Sequence, residues 1–207
     1  MIESNPMLQE PKNYHLITDF TSYKAIYEEG HTFCAFDTET TGLKAESERV
    51  IEIGAVKFNK NGIIADFGTL IDPEKKISPK ITEITNITNE MLAGKPKADE
   101  AIKSFLEFSK DCILIAHNAP FDLRFVNCEL IRLDRPTLTN PTIDNLRFTK
   151  WAFPTACHWN QPFLAAMLGI EIKQAHRAAD DARVCMEIFL KTLESKKVAD
   201  KSLNRSI

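Results

Sequence analysis

Residues 50–71 read VIEIGAVKFNKNGIIADFGTLI, two runs flanking Asn61-Gly62. The first run alternates apolar and other residues cleanly, the second less so. Alternation at period two is the mark of a strand, because successive side chains point to opposite faces. Asn-Gly readily adopts the positive φ values of a tight hairpin turn. A hairpin of this kind must bury one face, so the rest of the chain has to cover it. Two short apolar runs, HTFCAFDTE at 31–39 and CILIA at 112–116, add buried strands. Residues 16–29 read as a short helix, with Phe20, Tyr23, Ile26 and Tyr27 at helical spacing. Residues 98–109 read as an amphipathic helix with Ile102, Phe105 and Leu106 on one face. Pro120 suits the first turn of a helix running to about Leu133, and a last helix is expected at about 178–193. Strands and helices in this order make a mixed sheet with helices packed on it, an α/β fold.

A chain of 207 residues suits one compact domain. That domain is expected over 31–193, after an N-terminal arm and short helix at 1–30 and before a charged, fraying tail at 194–207. A formal net charge of −3 excludes a broad basic field, so contact with nucleic acid should be short and local. The five cysteines include no C-x-x-C pair and mostly sit in apolar runs, as reduced buried thiols do. Cys157 beside His158 lacks partners at zinc-ligand spacing. There is no basic-then-apolar leader and no apolar run of membrane-spanning length, so a cytoplasmic location with no membrane partner is expected.

The segment FDTETTGL at 36–43 carries the first chemistry. Side chains at i and i+2 of a strand share a face, so Asp37 and Glu39 point the same way at the end of an apolar strand. Two carboxylates so placed repel each other, and either one takes a proton or both hold a cation. Oxygen donors alone suit Mg²⁺ or Mn²⁺ better than zinc. Thr40, Thr41 and Gly42 then end the strand and bring hydroxyls and backbone amides to the same place. In LIAHNAPFDLRF, Asp122 falls in a first helical turn with Phe125 and Val126 at i+3 and i+4, on the inward side. His117 and Asn118 are read mainly as shaping that loop by hydrogen bonding.

The last motif, QAHRAADDARV at 174–184, offers two adjacent aspartates. Steps of four and seven from Asp181 reach Cys185 and Ile188, the apolar stripe; the same steps from Asp180 reach Val184 and Glu187, and a step of eleven reaches Lys191. Asp181 is therefore expected to face the core and Asp180 water. A carboxylate on a buried stripe is costly unless paired or metal-bound. His176 precedes the helix and is placed by a loop.

Together FDTETTGL, AHNAPFD and HRAADDA resemble the DEDD exonucleases of the histidine subtype, the family of proofreading epsilon subunits and of stand-alone 3′–5′ exonucleases. VIEIGAVKF and ITNITNEMLAGKP also resemble that family's stretches, and the likeness covers roughly residues 31–193. It implies a ribonuclease H-like, mixed five-stranded sheet flanked by helices. It implies Asp37, Glu39, Asp122 and Asp181 as acids holding two divalent ions, Mg²⁺ or Mn²⁺, with His176 as general base. Asp37 would bridge both ions, Glu39 and Asp181 would complete the nucleophile-side site, and Asp122 would hold the other. The substrate implied is a single-stranded 3′ end, DNA favoured over RNA, cut to nucleoside 5′-monophosphates. Thr38, Thr40, Asn118 and Phe121 are the candidate substrate contacts; Phe121 is equally a core residue by position. An exoribonuclease, and a polymerase-associated proofreading or binding subunit, remain as alternatives. The stretch 147–170 departs from the family pattern, with aromatic packing by Trp151 and Trp159 favoured over substrate contact. The segment after 193 lacks a clamp-binding pattern, so any polymerase association is expected to be weak.

Overall fold

The computed structural model describes residues 14–195 and 197–199. Five strands form one sheet, β1 (Phe33–Thr40), β2 (Val50–Asn59), β3 (Gly62–Leu70), β4 (Ile113–Ala116) and β5 (Thr142–Asp144), in the order β3-β2-β1-β4-β5. β1 is central, antiparallel to β2 and parallel to β4. The helices are α1 (Tyr23–Glu28), α2 (Pro79–Thr85), α3 (Asn89–Leu92), α4 (Ala98–Ser109), α5 (Ala119–Arg132), α6 (Asn145–Ala152), α7 (Gln161–Leu168) and α8 (Ala178–Leu193).

The two faces of the sheet can be read from residue parity. Cys34 and Phe36 of β1 and Ile53 and Ala55 of β2 bury into one core with Ile102 and Phe105 of α4 and Leu123 and Val126 of α5. Phe33 and Ala35 of β1 and Val56 and Phe58 of β2 bury into a second core with Tyr23, Phe148, Cys185 and Phe189, against α1, α6 and α8. Phe33 stacks on Phe58 at 5.5 Å between centroids. Trp159 packs outside α8 with Leu164, Val184 and Ile188. Continuing the parity along β1 sends Asp37 and Glu39 to the α8 face, and Thr38 and Thr40 to the α5 face.

Several expected boundaries move. The first helix covers only Tyr23–Glu28; residue 16 instead bridges Thr142 beside β5. Asp19 explains the delay, since its Oδ1 accepts from the Thr21 amide and hydroxyl, a local turn that competes with helix. The hairpin turns at Lys60 and Asn61, where the Asn61 amide donates to Asn59 Oδ1, and Gly62 opens β3 at φ +122°. Four of the five thiols are buried, but Cys157 is exposed. The tail is packed at its start: Val198 is buried, and Lys197 Nζ donates to the Trp151 carbonyl at 2.6 Å. Residues 1–13 of the expected arm and 200–207 of the expected tail lie outside the described residues. Among the described residues, no helix is long and apolar enough to cross a membrane.

Candidate active site

Asp37 and Glu39 sit partly buried near the end of β1, opposite Gly54 and Glu52 of β2 in the strand register. Asp122 is buried in the first turn of α5, as the inward side of that helix predicts. Its Oδ1 accepts from the Thr38 amide at 3.0 Å and the Thr38 hydroxyl at 2.7 Å. The residue between the two β1 acids thus ties the third acid to the strand from the other face.

From α8, Asp181 closes the group. One ligand atom each from Glu39, His176 and Asp181 lies within 4.8 Å of the others. His176 is exposed, immediately outside the helix, with its backbone in the left-handed region at φ +58°. Asp180 does not face water. Its carboxylate accepts from the amides of Lys173 and Gln174 at 2.7 and 2.8 Å and pairs with Arg183, and its side chain is only 10% exposed. Helical periodicity separated the two aspartates correctly as to core side. It could not show that the loop folds back over the other one.

The electrostatics of the acids suit a bound cation. Burial, then repulsion from Asp122, Asp181 and Glu39, holds Asp37 far above the ordinary carboxylate range. Burial and the neighbouring acids push Glu39 to about 8. Burial raises Asp122 to about 7 despite the opposing Thr38 hydrogen bonds. Asp181 rises to about 6, again through burial, with the nearby His176 opposing. Converging oxygen donors that resist ionisation alone are a donor set suited to hard divalent cations.

A family model described as exonuclease matches residues 34–189. The chain belongs to the exonuclease family. A DNA polymerase III subunit epsilon of Treponema pallidum (strain Nichols) is 46% identical over 159 residues, covering 76% of this exonuclease and 74% of that subunit. A PolC-type DNA polymerase III of Clostridium perfringens is 38% identical over 177 residues, covering 83% of this chain but only 12% of that polymerase. Among solved structures, a zinc-bound complex of E. coli exonuclease I with single-stranded DNA superposes with a TM-score of 0.69 at 19% identity, covering 82% of this chain and 42% of that one. The ribonuclease H-like fold expected from the motifs is the fold observed, and the enzyme is a 3′–5′ exonuclease.

Around the acids of this exonuclease, the other sequence candidates differ in their surroundings. Thr38 is buried, with its amide and hydroxyl both committed to Asp122. The Thr40 hydroxyl donates to the Gly42 carbonyl at 2.7 Å. Asn118 is exposed at the start of α5 in a left-handed conformation, φ +74°. Phe121 is half-buried, its ring 4.9 Å from that of Phe125. His117 bonds through Nε2 to the Trp159 carbonyl at 2.7 Å, which ties the 147–170 segment to the loop before Asp122. Trp151 stacks on Phe148 in the core, so both tryptophans are packing residues.

Sequence reasoning passed over Glu52, Gly54 and Arg177. Glu52 is buried and receives the Arg177 guanidinium and the Ala178 amide. A Cβ on Gly54 would lie 2.1 Å from the α8 backbone at Ala178 and Ala179. A signal existed: an acid and a glycine occupy consecutive inward positions of an otherwise apolar strand.

Proposed function

We propose that this exonuclease shortens single-stranded DNA from the 3′ end and releases nucleoside 5′-monophosphates. Asp37, Glu39, Asp122 and Asp181 would hold two divalent cations, Mg²⁺ or Mn²⁺, and His176 would be the general base. The observation that carries this reading is the meeting of Glu39, His176 and Asp181 atoms within 4.8 Å, at the end of the strand that bears Asp37. When bound, the cations supply Lewis acidity and neutralise charge at the scissile phosphate. Asp37 lies on the strand between the acids of α5 and α8 and serves both halves of the site. Thr38 keeps Asp122 oriented through two hydrogen bonds. His176 is exposed beside the acids, so its imidazole can take a proton from water as the water oxygen bonds to phosphorus and the P–O3′ bond breaks. Exposed Asn118 and half-buried Phe121 lie at the start of α5, the helix whose first turn carries Asp122, and are suited to touch the terminal nucleotides.

DNA is favoured over RNA by the polymerase relatives and by the DNA-bound exonuclease I neighbour. Those relatives also favour a second reading, in which the domain of residues 31–193 associates weakly with a replicative polymerase. A cytoplasmic setting fits either role.

The test uses 5′-labelled DNA and RNA oligonucleotides of one sequence, with Mg²⁺ or Mn²⁺, on wild type and Asp37→Ala. A ladder shortening from the 3′ end, lost with EDTA and in the variant, is expected. Fragments that do not shorten from the 3′ end, or shortening that survives Asp37→Ala, would refute the assignment. The DNA-to-RNA rate ratio decides the substrate.

A further inference from the structure

We propose that Glu52 and Arg177 form a clamp that positions His176 and Asp181 against Glu39; the inference rests on the exonuclease reading of the site. Neither residue need touch substrate. Arg177 occupies the N-cap position of α8 and makes no side-chain cap of its own. Glu52 caps the helix instead, from β2: its Oε2 accepts from the Ala178 amide at 3.1 Å. The same carboxylate takes the Arg177 guanidinium through Nε at 3.2 Å and Nη2 at 2.8 Å. The Glu52 side chain is 5% exposed and that of Arg177 32%.

The clamp lies where the site needs it. Glu52 pairs with Glu39 in the sheet register, so both point to the α8 face. Its carboxylate fixes residues 177 and 178, directly after His176 and one turn before Asp181. On the other side, Asp180 grips the amides of residues 173 and 174. His176 is therefore held between two anchored segments in a left-handed conformation that is unfavourable for a non-glycine residue. A buried ion pair adds little stability over apolar packing. Placed beside further carboxylates, this one is better explained by the geometry it imposes.

Because Glu52 and Arg177 carry opposite charges, removing each in turn separates positioning from simple field effects. Mn²⁺ binding is measured by calorimetry, and kcat and KM on single-stranded DNA, for full-length wild type, Glu52→Gln, Arg177→Gln, Arg177→Lys and the Glu52→Gln/Arg177→Gln double variant. A clamp predicts that both single neutralisations weaken Mn²⁺ binding and lower kcat by about tenfold or more, with KM changed by less than about threefold, and that the double variant is no worse than either. Arg177→Lys should stay impaired, since an ammonium cannot reproduce the forked contact. Opposite shifts in Mn²⁺ affinity for the two neutralisations, full rescue by lysine, or no change in either variant would overturn the proposal. If Glu52→Gln does not fold, the two Arg177 variants still decide it. Failure of wild type to shorten DNA would instead count against the exonuclease reading, while the Mn²⁺ arm would still judge the clamp.

Discussion

Asp37 bears a heavy electrostatic load, since burial and four neighbouring carboxylates, those of Asp122, Asp181, Glu39 and Glu52, all oppose its charge. Replacing it with asparagine should therefore separate stability from function. In EDTA at pH 8, Asp37→Asn is expected to raise Tm, because a carboxyl that must either hold a proton or bear a repelled charge is replaced by a neutral group of the same shape; relief of about 1 kcal/mol corresponds to roughly 2–4 °C for a domain of this size. In Mg²⁺ the same variant should lose several kcal/mol of transition-state stabilisation, on the order of a thousandfold in kcat. Calorimetry and the oligonucleotide assay check the two arms, and a variant both less stable and fully active would contradict the reading of this acid. Thr38→Val is a milder probe. It removes the hydroxyl that donates to Asp122 at 2.7 Å and keeps the amide. The Asp122 pKa should rise further above about 7, so activity should fall more at pH 7 than at pH 9. An equal loss at both pH values would show that Thr38 acts otherwise. At this scale the positions of the candidate acids were legible in the sequence, because a carboxylate on an apolar stripe or strand end stands out. Asp180 was misjudged because its partners are backbone amides of a preceding loop, which no periodicity reports.

At the scale of elements, the seat of α8 on β2 decides where Asp181 lies. Gly54→Ala would drive a methyl group to 2.1 Å from the α8 backbone, a contact that cannot be relieved by a side-chain rotation. The helix start must move or the strand must bend, at a cost of about 1–3 kcal/mol or more. Loss of both Tm and exonuclease activity is expected. Gly68→Ala, on β3, provides the comparison: its nearest neighbour would be the Ala179 methyl at 3.7 Å, an ordinary contact, so stability should stay within about 1 kcal/mol of wild type. Denaturant unfolding of the two variants tests the contrast, and similar stabilities would remove the argument for a tight seat. The long elements were legible: the α4 range and the α8 range are those that amphipathic spacing predicts. β5 was not read from its residues, since three residues carry no period and its place follows from pairing with β4. α2 and α3 are short helices set by Ser78 and Thr88 caps, signals that also suit turns.

For the molecule as a whole, the acid cluster makes stability a function of pH and cation together. The carboxyls of Asp181, Asp122 and Glu39 are raised to about 6, 7 and 8, above their ordinary values of 3.8, 3.8 and 4.5. A raised carboxyl favours the protonated form in the fold, so its contribution is fully present below the unfolded pKa and is lost as pH rises through the folded one. In EDTA, Tm is therefore expected to fall from about pH 5, most steeply near pH 5 to 6, where all three carboxyls are protonated in the fold and ionised in the unfolded chain, and to level off as the folded carboxyls titrate between about 6 and 9. A divalent cation binds the deprotonated carboxylates and only in the folded state, so its stabilisation follows the opposite course. The increment in Tm produced by Mn²⁺ should be small at pH 5 and grow through the same window. Scanning calorimetry at several pH values, with EDTA or with Mn²⁺, gives both curves. A Tm in EDTA that is flat or rising from about pH 5 to 6 would mean that the acids ionise freely without a cation. A Mn²⁺ increment independent of pH would mean that the ion binds away from them. With both trends in the expected sense, one set of carboxylates would account for the instability of the cation-free fold and for its rescue.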